Sequence, residues 1–196
     1  MNKTSFQWFA MVAIALLSLQ ACKNNEGNSE TLTATNDDSL LTSRGEYLVS
    51  IMGCDDCHSP KNMTPQGPEL DMAHRLSGYP AQRALAKINP DVVKNGWVLF
   101  DGDLTAAVGP WGASFSANLT GDSTTGLGNW TEEQFKIAMT QGKAKGLEKS
   151  RDLLPPMPWQ NFSHLHDEDI KAIFAYLKSL PHVKNVVPQP KTLSEL

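Results

Sequence analysis

Cys54-Asp55-Asp56-Cys57-His58 spells C-x-x-C-H, the attachment signature of a c-type haem, and the rest of the chain is read outward from it. Two thiols separated by two residues on a tightening helix end reach the two vinyl groups of one porphyrin. The next side chain, His58, then turns its imidazole toward the iron. On this reading Cys54 and Cys57 hold one covalent haem c, His58 is the first axial ligand, and a second ligand has to come from elsewhere in the chain.

Upstream, Ser43 and Glu46 have capping-box spacing, and Tyr47, Leu48 and Ile51 repeat at helical spacing, which predicts a helix running from Ser43 into the motif. Gly53 sits where a permissive backbone lets that helix turn into the attachment loop. Downstream, the search for the sixth ligand favours Met157. It lies in Leu154-Pro155-Pro156-Met157-Pro158-Trp159, a run whose prolines forbid a helix and make a stiff extended loop. A thioether is a weak ligand, so a stiff loop lowers the entropy lost in presenting it. Met139 is accounted for by a helix face, and Met52 and Met63 are too near His58 in the chain to cross readily to the opposite haem face. Met72 stays open, as does a second histidine from His74, His164, His166 or His182.

The amino-terminal end has Lys3, an apolar stretch from Phe9 to Leu19 and a small residue, Ala21, before Cys22. This is the layout of an export signal, too short to span a membrane as a helix. Leu19-Gln20-Ala21-Cys22 resembles a bacterial lipobox, so residues 1–21 are expected to be removed and Cys22 to carry lipid. An ordinary signal peptide with an incidental cysteine is the alternative. Residues 22–42, rich in Asn, Ser, Thr, Asp and Glu, read as a flexible tether. Residues 43–183 form the haem domain, and 184–196 a loosely packed polar tail. The three cysteines are then all assigned. With 17 basic against 21 acidic residues the net charge is −4, which argues against a nucleic-acid partner.

Between Ser59 and Gly128 glycines and prolines recur, and only Ala81–Ile88 reads as helix, with Pro80 before it and Pro90 to end it. Trp97, Phe100, Trp111 and Phe115 lie in a glycine-rich segment that suits either loop packing or haem contact. Thr131 and Gln134 make a capping box, Trp130 and Phe135 a staple, and Gly142 a stop. Lys143 to Arg151 is a basic loop, read as a solvated face or a docking site for a partner. Asp167, Glu168 and Asp169 start a last helix whose apolar face is Ile170, Ile173, Phe174 and Leu177.

Taken together, Arg44–Pro60, Gly109–Gly128, Asn129–Phe135 and Leu153–His182 make the chain resemble a class I cytochrome c, and more closely the cytochrome c subunits associated with bacterial dehydrogenases. That resemblance implies an all-α fold with crossing first and last helices around one haem, axial ligands His58 and Met157, and a long loop-rich insertion between them. It also implies that Pro68, in Gly67-Pro68-Glu69-Leu70, offers its carbonyl to the ligand histidine. The expected function is single-electron transfer, without catalysis, between a periplasmic or membrane dehydrogenase or respiratory complex and a downstream acceptor. The expected setting is the bacterial periplasmic space, with a lipid anchor in a membrane. A haem enzyme or gas sensor with a displaceable distal site is the second function, and a thiol-redox or zinc site on Cys54 and Cys57 the third.

Overall fold

The computed structural model describes residues 26–196, with side chains from Asp37 onward; residues 1–25, on which the expected export signal and the lipid attachment at Cys22 fall, lie outside the described residues. Leu41–Leu196 forms the larger of two units of the chain. Helix α1 runs from Glu26 to Ile51, so Ser43 is an interior residue and the polar stretch expected to be tether is helical from Glu26. No proline interrupts Glu26–Ile51, and its Thr, Ser and Asn residues cost only a few tenths of a kcal/mol each in propensity.

The larger unit is built on a core of Leu48 and Val49 from α1, Phe135 and Met139 from α4 (Glu132–Gln141), and Ile170, Ala172, Ile173, Tyr176 and Leu177 from α6 (Asp167–Ser179), closed by Leu76 and Leu127. Helix α4 begins with the Thr131–Gln134 capping box and ends at Gly142 in the left-handed conformation, φ 66°. Phe135 stacks on Phe174 with centroids 5.2 Å apart. Two ion pairs tie α6 to its neighbours, Arg44–Asp169 at 2.9 Å and Lys136–Asp167 at 2.8 Å. Helix α1 packs tightly on α6 at Gly45, where a Cβ would lie 2.0 Å from the Ala172 carbonyl oxygen. Helix α6 stops at Ser179 because Leu180, which precedes Pro181, is held extended.

The all-α expectation is corrected by two small antiparallel sheets. Strands β1 (Lys61–Thr64) and β2 (Gly67–Leu70) form a hairpin, with Thr64 opposite Gly67. Strands β3 (Leu99–Phe100), β4 (Ala106–Gly109) and β5 (Gly112–Phe115) form a second sheet in that order. The glycines and prolines that read as loop are its turn residues. Pro110 and Trp111 link β4 to β5, Gly112 takes φ 97°, and the Trp111 ring fills the place where a side chain of Gly109 would stand.

This sheet has its own apolar cluster of Val93, Val108 and Ala113, with Leu85, Ile88, Leu99, Phe115 and the tail residues Leu193 and Leu196 packed on it. Trp97 and Phe100 are exposed, whereas Phe115 meets Tyr79 edge-on at 4.8 Å.

Ala81–Ile88 is not helical; a turn follows Pro80, and the helix lies beyond it, at α3 (Pro90–Lys94), with Pro90 starting rather than ending it. Tertiary bonds override the local pattern here. The Arg83 guanidinium pairs with Asp101 and Asp103 and lies 4.5 Å from the Tyr79 ring, and the Ala81 amide donates to Asn185. The tail is docked as well, because Lys191 and Ala113 exchange backbone hydrogen bonds of 2.8 and 3.0 Å.

Candidate functional site

Cys54–His58 is a five-residue helix, α2, entered through Gly53 at φ 69°. Three sets of bonds fix it. At its start, the Asp55 carboxylate receives Arg75 Nε at 3.0 Å and Nη2 at 2.7 Å, a bidentate pair, together with the Ser59 hydroxyl at 2.6 Å. Arg75 reaches on to the Tyr176 hydroxyl at 2.7 Å, so the motif's own acid is bound to the last helix. Burial works to raise the Asp55 pKa, but the Arg75 and Ser59 hydrogen bonds outweigh it and hold the carboxyl below its ordinary range.

At the other end, the Lys61 ammonium donates to the carbonyl oxygens of Asp55, Asp56, Ser59 and Asp103, at 3.4, 2.7, 3.0 and 2.9 Å. A cation is favoured there, since the last carbonyls of a helix carry the negative end of its dipole.

The third set orients the histidine. His58 Nδ1 lies 2.8 Å from the Ala117 carbonyl oxygen. A carbonyl only accepts, so Nδ1 carries the proton and Nε2 presents its lone pair. Burial, outweighing that hydrogen bond and Asp55, pushes the His58 pKa down and so favours the neutral imidazole a metal needs. The expected partner, Pro68, is instead a β2 residue paired across the hairpin with Met63.

Met157 is half-buried and packs, as Cys54 does, on the main apolar cluster, in the company of Met52, Leu119, Trp130 and Phe162. Its loop is stiff for reasons beyond its prolines. Leu153 donates its amide to Gly142 at 2.6 Å, Ser114 donates its hydroxyl to the Pro155 carbonyl at 2.6 Å, and the Trp159 ring covers the Gly142 backbone. The rival ligands are placed differently. Met72 is 67% exposed, His74 Nδ1 is engaged by Asp71 at 2.7 Å, and His164, His166 and His182 are exposed.

The thiols do not have the electrostatics of a redox nucleophile. Burial, then Asp55, pushes Cys54 up to about 11, and burial, then Asp56, raises Cys57, whereas a reactive thiol is depressed. Among the described residues no trio of His, Cys, Asp or Glu is placed to hold a metal ion, which leaves a zinc site without further ligands. The donor set fits a haem instead. Two half-buried thiols, one imidazole with its free nitrogen defined, and one thioether on the apolar cluster shared with Cys54 are donors of the kinds that suit a haem.

Comparison with known proteins points the same way. The chain is 31% identical over 136 residues, 69% of its length, to the cytochrome c subunit of gluconate 2-dehydrogenase from Pantoea cypripedii, matching 22% of that protein. It is 41% identical over 85 residues to the cytochrome subunit of fructose dehydrogenase from Gluconobacter japonicus, covering 42% of this chain and 16% of that one. Identity to the cytochrome c subunit of the quinone alcohol dehydrogenase from Gluconobacter oxydans is 27% over 154 residues, 79% of this chain and 24% of the relative.

The chain belongs to the cytochrome c family.

Its similarity is to dehydrogenase-associated members of that family, although the cytochrome spans no more than 24% of the length of these three relatives. No family model matches it. Arg75, Lys61 and Ala117 support the cytochrome's motif helix, yet none of them stands at a spacing that marks it in the sequence. The only hint was Asp55 itself, an acid in a motif whose helix had to be half-buried and which therefore needed a cation.

Proposed function

We propose that this protein is a monohaem c-type cytochrome that passes single electrons from a dehydrogenase to a downstream acceptor. Haem c, when bound, supplies a one-electron iron couple. Cys54 and Cys57 would hold the ring, and His58 and Met157 would both ligate the iron, a donor pair that suits electron transfer rather than substrate binding. The observation that carries this reading is that Cys54 of the motif helix and Met157 of the proline loop pack on one apolar cluster, with the His58 tautomer already set by Ala117.

The residues around the motif do three things. Ala117 makes the His58 imidazole a more basic ligand by accepting its proton's hydrogen bond, a standard influence on metal affinity and potential. Arg75 and Lys61 keep the motif helix in one geometry in both oxidation states, which keeps the reorganisation on electron transfer small. The apolar cluster on which Cys54 and Met157 pack would exclude water from the ring.

The names of the relatives support a dehydrogenase as donor. The Phe9–Cys22 stretch supports export and lipid attachment at Cys22, and with them a location in the periplasmic space at a membrane.

Acid–organic extraction of the purified protein tests the attachment. Haem should stay with the polypeptide, and Cys54→Ala or Cys57→Ala should each weaken that retention. Haem that leaves the intact protein in the organic phase would rule the reading out.

A further inference from the structure

Asn185 lies in the carboxy-terminal tail, 127 positions from His58, and makes more specific contacts than a solvated tail residue would. Its carboxamide nitrogen donates to the Ser77 carbonyl at 2.7 Å and to the Tyr79 carbonyl at 2.9 Å, and its oxygen accepts from the Ala81 amide at 2.9 Å. All three bonds fall on one segment, Ser77–Ala81. That segment holds the histidine from behind, because the Gly78 amide donates to the His58 carbonyl at 2.8 Å. It also borders the extended segment Ser116–Leu119 that carries the acceptor. Tyr79 donates to Ser116 at 3.0 Å, and Leu119 donates at 2.8 Å to Leu76, just before the clamped segment, on either side of Ala117. Gly78 packs so close to Ser116–Leu119 that a Cβ would lie 2.6 Å from the Ala117 carbonyl carbon. A second tie converges there, since Asn118, next to Ala117, donates to the Val183 carbonyl at 2.7 Å.

We propose that Asn185 is a positioning residue for the proximal ligand: through Ser77–Ala81 it fixes the distance between His58 Nδ1 and the Ala117 carbonyl, and thereby the basicity of the imidazole and the reduction potential. This rests on His58 being an iron ligand, as argued above. A tighter Nδ1–H···O bond makes the imidazole a stronger donor and favours ferric iron. Removing the Asn185 clamp lengthens that bond and favours ferrous iron.

The test uses the full haem-loaded protein and Asn185→Leu, which adds no charge. The reduction potential should rise, and the His58 Nδ1 proton, followed by NMR in the ferrous state, should move upfield and exchange faster with solvent. Loss of thermal stability with neither the potential nor this proton changed would reduce Asn185 to a structural residue and overturn the proposal. If the variant does not retain haem, the unmutated protein decides. The Asn185 carboxamide protons and the His58 Nδ1 proton should be protected from exchange together; a protected His58 proton beside freely exchanging Asn185 protons overturns the proposal. An unmutated spectrum with no histidine-ligated low-spin haem would instead strike the ligand reading, and this inference with it.

Discussion

The imidazole Nδ1 of His58 and the carbonyl oxygen of Ala117 are 2.8 Å apart, although 59 positions separate them in the chain. Strand-like pairing of Leu76–Tyr79 with Ser116–Leu119 makes this approach possible, and Gly78, at φ 79°, is the residue that permits it. Gly78→Ala puts a Cβ 2.4 Å from the Ser116 carbonyl oxygen at a backbone conformation that favours glycine. The variant should lose about 1–3 kcal/mol of stability, as overpacking commonly costs, and retain less haem per chain. Denaturant unfolding and the haem-to-protein absorbance ratio measure both.

The Asp55–Arg75 pair predicts an acid limb. A depressed carboxylate contributes stability that is complete above its unfolded pKa, about 3.9, and lost as the pH falls through the lower folded value. Stability should therefore drop below about pH 4. Arg75→Leu should cost about 1.5–3 kcal/mol at neutral pH, the usual size for hydrogen bonds to a charged group, and flatten that limb. Unfolding midpoints measured from pH 3 to 7 check the sign; an unchanged acid limb in Arg75→Leu would show that other carboxylates cause it.

Lys61→Met removes the donor shared by four carbonyls while keeping the apolar stem. A cost of about 1–3 kcal/mol is expected from the unsatisfied groups, partly relieved by water. Lys61→Arg should not fully rescue it, because a planar fork cannot point at four carbonyls converging on one nitrogen. Thermal melts of the two variants settle the order.

Gly45→Ala tests the tight packing of α1 on α6. Its Cβ would meet the Ala172 carbonyl oxygen at 2.0 Å and the Tyr176 Cβ at 2.7 Å, so α1 and α6 would have to separate. Helix propensity alone would favour Ala by about 1 kcal/mol. A melting temperature well below that of the parent is expected, and an increase would contradict the packing.

Helix α4 and helix α6 were legible because their signals are local: the Thr131–Gln134 box, the Gly142 stop and the Ile170–Leu177 stripe all lie within the element they define. The two sheets were not legible. Their strands are two to four residues long, too short for a period to show, and their glycines and prolines at the turns look like loop. Ala81–Ile88 misled for the opposite reason, since its local pattern is helical but Arg83 and Asn185 bind it in another conformation. At the site, Cys54, Cys57, His58 and Met157 stand out by motif and by prolines. Ala117, Arg75 and Asn185 do not, because the bonds they make depend on which distant segments the fold brings together.

Anchoring rests on residues outside the described structure. Cys22→Ser should move the protein from the membrane to the soluble fraction of lysed cells, since acyl chains supply about 0.8 kcal/mol per buried methylene. A native amino terminus without acyl groups by mass spectrometry would contradict lipid attachment.

If Met157 is the second iron ligand, the spectrum of the ferric protein must differ from that of its Met157→Ala variant. The parent should show the weak near-infrared band of sulfur-ligated iron and resist carbon monoxide when reduced; Met157→Ala should lose the band, bind carbon monoxide and fall in potential, while Met72→Ala leaves all three unchanged. A parent that lacks the band and binds carbon monoxide as an open haem does would contradict the electron-carrier account.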